Sequence, residues 1–284
     1  METITVVIMV AITGKMKRRN DKVTLVDLHS HILPGVDDGS PDMNHSLVLA
    51  KAAVDDGVTH MLLTPHHMDG KYTNHKKDII RKTEEFQQAL IENDISLKVF
   101  PGQEVHLSDK LLEAIDDDDI LFADEGCRYL MLELPHTHVP EYFMKNIFPE
   151  LRNREIIPVI VHPERNQGIQ RNPNLLYEMI KNGCLTQLTA SSYLGIFGEK
   201  VTEFTQKIIS SNLGYTFSSD AHNLKGRKTR MTSAYVKLGK FNERLSKNYQ
   251  ENAKLILNGE DIVQKNVKKI KKQSFLFNMF HKDK

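Results

Sequence analysis

Short apolar runs alternate along the chain with longer segments in which apolar residues recur at helical spacing. The runs are VTLVDL (Val23 to Leu28), HMLLT (His60 to Thr64), LKVFPG (Leu97 to Gly102), YLMLEL (Tyr129 to Leu134), PVIVH (Pro158 to His162), LTQLTA (Leu185 to Ala190) and YTFSS (Tyr215 to Ser219). Nearly continuous apolar runs, rich in β-branched residues, are what parallel strands covered on both faces look like. Helices are predicted between them. Asn44 to Asp56 stops at Gly57, and Lys76 to Asn93 places Ile79, Ile80, Phe86 and Leu90 at helical spacing. Pro173 opens a helix that stops near Gly183, Glu199 to Asn212 stops at Gly214, and the chain past Ser233 reads as helix. Seven such repeats make a barrel or a doubly wound sheet, and periodicity leaves that choice open.

Composition narrows the picture. At 284 residues the chain fits one large core, and with 38 basic and 37 acidic residues its net charge is +1. No overall field therefore favours a polyanion such as nucleic acid. Cys127 and Cys184 are far apart and form no CxxC pair, which fits a reducing cytoplasm and offers no thiolate metal site. The opening METITVVIMVAITGKMKRRN has an apolar stretch, Val6 to Ile12, too short to span a bilayer, and its basic residues follow that stretch instead of preceding it. Residues 1–22 are expected to be a disordered or mis-started extension, with Met16 as another start and membrane-surface contact as the other reading. Residues 263–284 form a basic tail with three Phe, expected to be solvated or locally packed, with membrane or partner contact as the alternative. No other stretch reads as a membrane span.

The chemistry gathers at the strand ends. His29-Ser30-His31 closes the first strand, and residues i and i+2 of a strand share a face, so both imidazoles can meet one ion. A lone HxH is weak, but ionisable side chains recur: His66 after the second strand, Glu104 after the third, Glu133 at the fourth, His162 at the fifth, Asp220 and His222 after the seventh. The sixth strand contributes none. In a parallel barrel these ends share one face. A carboxylate between apolar strand residues, as in Leu132-Glu133-Leu134, costs several kcal/mol unless it is paired or metal-bound.

Asp37 and Asp38 compete for one ligand role before Gly39, and Asp38 is preferred. His67 is expected to point away from His66, either supporting the site or exposed. His136 and His138 read as surface or substrate-contacting loop residues, and His45, His60, His75, His106 and His281 as structural or exposed. Imidazoles and carboxylates without thiolate suit Mn, Fe or Zn, and Mg is possible. Three divalent ions against Asp38, Glu104, Glu133 and Asp220 would leave roughly +2, which favours a phosphate ester. Arg165, in HPERN, can fork onto phosphoryl oxygens unless it forms a surface ion pair with Glu164, and Arg227 is a second phosphate candidate. Arg165, Asp220 and His222 are the catalytic candidates. A cysteine-based phosphate loop is excluded, because the positions six residues after Cys127 and Cys184 hold Glu133 and Ala190 instead of Arg.

DLHSHILPGVDDGS, LLTPHH, PGQEV, LELP, VIVHPERN, SYLGIFG and SSDAHN, spread over about residues 24 to 260, resemble the polymerase-and-histidinol-phosphatase (PHP) superfamily, specifically its CpsB/CapC branch of manganese-dependent bacterial protein-tyrosine phosphatases. The resemblance implies an α/β fold, a distorted TIM-like (β/α)7 barrel over residues 23–262, holding three Mn2+ ions. By analogy His29, His31, Glu104 and Asp220 hold one ion, Glu104, Glu133 and His162 a second, and Asp38, His66 and His222 a third. Arg165 matches the arginine assigned to the transition state or leaving group. The implied substrate is a phosphotyrosine protein, the tail of a membrane-bound bacterial tyrosine kinase controlling capsule or exopolysaccharide synthesis, met in the cytoplasm or at the inner membrane face. A small-molecule phosphatase of the histidinol-phosphatase kind and a non-catalytic metal-binding partner of the kinase are the alternatives; a nuclease is disfavoured by the near-neutral charge.

Overall fold

The computed structural model describes residues 25–263 and 266–270; the expected N-terminal extension and the Phe-containing end of the tail lie outside the described residues. Nine strand segments form: β1 (Leu25–Asp27), β2 (Val58–Leu63), β3 (His66–His67), β4 (Lys98–Pro101), β5 (Glu104–His106), β6 (Tyr129–Glu133), β7 (Ile157–Val161), β8 (Leu185–Thr189) and β9 (Thr216–Ser218). All pairings are parallel, in the orders β1-β2-β4 and β3-β5-β6-β7-β8-β9. The two sheets are one wall with a step in it, because β2 runs on into β3 through Thr64-Pro65 and β4 into β5 through Gly102-Gln103. Pro65 has no N–H to give a ladder, and a Cβ on Gly102 would lie 2.8 Å from Leu62 Cγ, so the sequence itself places the step.

The seven predicted runs thus become seven strand positions around a distorted β/α barrel. The last returns to the first: Ser30 bridges Ala221 in parallel, Asp220 N–H donates to His29 O at 2.9 Å, and His31 N–H donates to Ala221 O at 2.9 Å. Every residue of β6, β8 and β9 is buried, polar Thr186, Gln187, Thr216 and Ser218 among them, as in strands covered on both faces.

Helices cover the wall. α1 (Met43–Asp55) is capped by the Asp42 carboxylate, which accepts from His45 N–H, and ends before Gly57 at φ +93°. α2 (Lys76–Glu92) buries Ile79, Thr83, Phe86 and Leu90, the stripe read from the sequence with Thr83 in place of Ile80. Short α3 (Leu111–Asp116) precedes β6, a π-helical turn over Phe143–Ile147 leads into α4 (Phe148–Asn153), and α5 (Gln167–Arg171) and α6 (Asn174–Lys181) follow β7. α7 (Ala190–Tyr193) and α8 (Glu199–Ser210) follow β8. Past β9 the helical stretch read from Ser233 onward is two helices: α9 (Met231–Phe241) starts slightly earlier, and Asn242 leaves the helical conformation and caps α10 (Glu243–Leu257) by accepting from Leu245 N–H at 2.9 Å. Part of the basic tail is packed: Lys268 N–H donates to Ser211 O at 2.9 Å, and Val267 and Ile270 rest on the core. Among the described residues no helix is long and apolar enough to cross a membrane.

α10 reaches the barrel through Tyr249, fully buried beside Phe217 of β9 with ring centroids 5.4 Å apart. Gly214 makes room for it, since a Cβ there would overlap the Tyr249 hydroxyl and approach Leu188 Cδ1 to 2.8 Å. Gly214→Ala is expected to cost about 1–3 kcal/mol through overpacking, read as a lower urea midpoint with unchanged slope.

Candidate metal centre

The strand ends deliver their donors to one place. His29 and His31 leave β1, His66 lies in β3, Glu104 opens β5, Glu133 ends β6, His162 follows β7, and Asp220 and His222 follow β9. Two of these residues bend the chain sharply: His162 and Asp220 hold φ of 33° and 52°, conformations that cost a non-glycine residue about 1–3 kcal/mol and turn the side chain off the strand line. Backbone bonds from His162 N–H to Gln187 O at 2.8 Å and from Asp220 N–H to His29 O at 2.9 Å hold them there.

The donors form four overlapping groups whose ligand atoms all lie within 4.8 Å of one another: His29, His31 and Asp220; His29, Glu104 and His162; His66, Glu104 and Glu133; and His31, Asp38, His66 and His222. His29 Nε2 and His31 Nε2 face each other at 3.0 Å, with Glu104 Oε2 3.4 Å and 3.3 Å away and Asp220 Oδ1 3.6 Å and 3.4 Å away. His162 Nε2 lies 2.8 Å from Glu104 Oε1 and 3.7 Å from Glu133 Oε1. Asp38 Oδ1 is 3.4 Å from His66 Nε2 and 3.3 Å from His222 Nε2, whereas Asp37 stands behind His31. Every residue named as a ligand from the sequence therefore reaches the cluster.

Burial and the neighbouring charges shift these groups in opposite directions. Burial alone would push the Glu104 carboxyl up, but His29, His162 and His31 around it hold it well below the usual carboxylate range. Asp220 is likewise opposed by burial and held well down by Arg165 and Arg227. Burial pulls His31 and His66 down, yet Asp37 and Glu104 raise His31 to about 9, and Asp38 and Glu104 raise His66 to about 11. His222 goes the other way, lowered to about 4 by burial and then by His31. His162 is also lowered, by burial first and Arg165 second.

The donor set fits divalent ions. His66 Nδ1, Glu104 Oε2 and His222 Nε2 are buried and have no hydrogen-bond partner among the described residues, although His66 Nδ1 and Glu104 Oε2 are only 3.0 Å apart; they approach each other off the hydrogen-bonding direction. Such atoms are costly unless something accepts their lone pairs. The backs of two imidazoles are tied as in metal sites: His29 Nδ1 lies 2.8 Å from Gln187 Oε1, and His31 Nδ1 lies 2.7 Å from Asp37 Oδ2, which leaves both Nε2 atoms facing inward.

These supports were not legible in the sequence. The sixth strand supplies no ionisable donor, but its Gln187 orients His29, and only the polar residue inside LTQLT hinted at it. His106, expected to be structural or exposed, sets Nδ1 3.0 Å from Glu133 Oε2. His67 is buried, and its Nδ1 accepts from Asn74 N–H at 3.2 Å. His136 is exposed, 3.8 Å from Glu133 Oε1. The ion pair between Arg165 and Glu164 does not form: Glu164 is buried and accepts from Thr189 N–H, while Arg165 Nη2 donates to Asp220 Oδ2 at 2.6 Å. Arg227 Nη2 meets both oxygens of Asp220, at 2.7 Å and 2.8 Å. Both arginines thus stand at the rim of the cluster.

A parallel β/α barrel with imidazoles and carboxylates gathered at its strand ends is the architecture of a metal-dependent hydrolase. The chain belongs to the CpsB/CapC family, described as capsular polysaccharide synthesis, which it matches over residues 25–264. It is 35% identical to the tyrosine-protein phosphatase YwqE of Bacillus subtilis over 257 residues, covering 90% of this chain and 100% of the relative. It is 28% identical to the tyrosine-protein phosphatase CpsB of Streptococcus pneumoniae, covering 74% and 88%. Among solved structures it superposes on one from a study of YwqE and CpsB, described as metal-dependent tyrosine phosphatases, with a TM-score of 0.84, 35% identity and coverage of 87% and 100%. The phosphotriesterase homology protein of Escherichia coli shares the fold, at a TM-score of 0.54 and 11% identity over 84% of this chain.

Gln187→Leu and Asp37→Asn are expected to weaken divalent metal binding about 10–100-fold by freeing the imidazoles they orient, measured by titration calorimetry with Mn2+.

Proposed function

We propose that this chain is a metal-dependent protein-tyrosine phosphatase working with three Mn2+ ions. The observation that carries the reading is the set of four overlapping donor groups, in which Glu104 belongs to two and can bridge. In this reading His29, His31, Glu104 and Asp220 would hold one ion, Glu104, Glu133 and His162 a second, and Asp38, His66 and His222 a third. Bound there, the ions would lower the pKa of an attacking water and neutralise phosphoryl charge.

The chain's own residues do the rest. Arg165 and Arg227 each retain N–H donors beyond those engaged by Asp220, and a guanidinium presents them in a plane that matches two phosphoryl oxygens. Asp220 fixes both forks, so it sets the position of the phosphate as well as contributing a ligand. The wall of buried β6 and β8 residues behind the cluster excludes water from that side, which strengthens each charge contact. A tyrosyl leaving group, with a pKa of about 10, needs less protonation help than an alkyl alcohol.

The names of the relatives support a phosphotyrosine protein as substrate, and the family description supports capsular polysaccharide synthesis as the setting. The proposed partner is the tail of a membrane-bound bacterial tyrosine kinase, met by a cytoplasmic enzyme recruited to the inner membrane face by its substrate.

Purified protein loaded with Mn2+ is expected to release phosphate from a phosphotyrosine peptide in preference to histidinol phosphate. Asp220→Ala and His162→Ala should abolish that turnover, and Arg165→Ala should lower kcat/KM about a hundredfold or more. Activity retained in both ligand variants would sink the metal mechanism, and preference for histidinol phosphate would make this a small-molecule phosphatase.

A further inference from the structure

The SYLGIFG segment plays no part in the metal chemistry, yet it reaches the same mouth. Ser191 and Ser192 lie buried in α7, and the chain then turns through Leu194 to Gly198 before α8 begins. Gly195 and Gly198 hold φ of +95° and +87°, the left-handed region where a side chain would be strained. Ile196 N–H donates to Ser191 O at 3.0 Å, and Gly198 N–H to Gly195 O at 3.2 Å, so the turn is fastened to the buried end of α7. It presents Ile196, 45% exposed, and the half-buried Phe197.

Phe197 is placed against the phosphate machinery. Its ring centroid lies 5.2 Å from the guanidinium carbon of Arg165, the same group that donates to Asp220 at 2.6 Å. A flat apolar face therefore stands beside the cation expected to hold the phosphoryl oxygens. The rest of the rim named so far is polar: Asp38, His66, His136 and Arg227.

We infer that Phe197 is the wall on which the substrate's aryl ring packs, and that it determines specificity for aryl over alkyl phosphate esters. The inference rests on the tyrosine-phosphatase reading of the site. An arene joined to phosphorus through a single oxygen stays within about a ring's breadth of a guanidinium that grips the phosphoryl group, and Phe197 is the ring that guanidinium touches. An alkyl ester such as phosphoserine offers no flat face to fill that contact. The turn adds little entropic cost, because its backbone is fixed before substrate arrives. Tyr72 is the competing ring: it stacks on His66 at 6.2 Å and 10°, but the Lys71 ammonium lies 4.5 Å from its centroid, and neither neighbour is a phosphate fork.

Benzylphosphonate, in which a methylene stands for the bridging oxygen, and methylphosphonate differ only in the phenyl ring and are not hydrolysed, so their binding isolates the contact. In titration calorimetry with Mn2+-loaded protein, the benzyl compound is expected to bind about tenfold more tightly than the methyl one, and Phe197→Ala to reduce that ratio to about twofold. Phe197→Tyr should keep it. Because the readout is a ratio within each variant, a partly unfolded preparation cannot imitate the result. A ratio unchanged in Phe197→Ala, or one lost in Tyr72→Ala instead, overturns the inference. Phosphotyrosine peptide turnover by the unaltered protein is measured alongside. Its absence overturns the proposed function, whereas turnover with an unchanged Phe197→Ala ratio overturns only the role of Phe197.

Discussion

Two carboxylates, Glu104 and Asp220, are each 1% exposed and stay ionised where the strand ends of the barrel converge. An ionised carboxylate in that position is tolerated only with positive charge or coordinating partners around it. Much of the local architecture answers that demand. Histidines surround Glu104, two arginines grip Asp220, and the chain accepts left-handed backbone at His162 and Asp220 to aim their side chains. A fold that merely filled its core would place apolar residues at those points.

The step in the wall belongs to the same design. At Thr64-Pro65 and Gly102-Gln103 the ladder breaks and resumes in β3 and β5, so that His66 and Glu104, paired in register, enter the cluster from a displaced segment. Ideal straight strands would spread these donors around the mouth. The closing contact between Ser30 and Ala221 sits between His29 and His31 on one side and Asp220 and His222 on the other, so closure of the barrel and assembly of the donors are one event.

What the sequence revealed follows from how each feature is encoded. Strands buried on both faces leave continuous apolar runs, and all seven appear as strand positions. Metal-type donors at strand ends are visible because His and carboxylates are rare among apolar neighbours, and the motif resemblance supplied their grouping. The supporting contacts were hidden because they depend on which strands are neighbours in space: Gln187 meets His29 across 158 positions, and His106 meets Glu133 across 27. The alternative partner for Arg165, Glu164, is not taken up because adjacent residues in a turn diverge, and Asp220, far along the chain, is the better-placed acceptor. The break at Asn242 was missed because α9 and α10 carry continuous helical periodicity and a single Asn interrupts it.

The central claim is that the strand-end donors exist to hold several divalent ions together. Anomalous diffraction collected above and below the manganese edge from crystals grown with Mn2+ addresses it without relying on turnover. Three anomalous peaks are expected, each within coordinating distance of one of the proposed sets, with the middle one touching Glu104 and Glu133. Crystals that show no peak inside this cluster, from protein that still hydrolyses phosphotyrosine, would contradict the account.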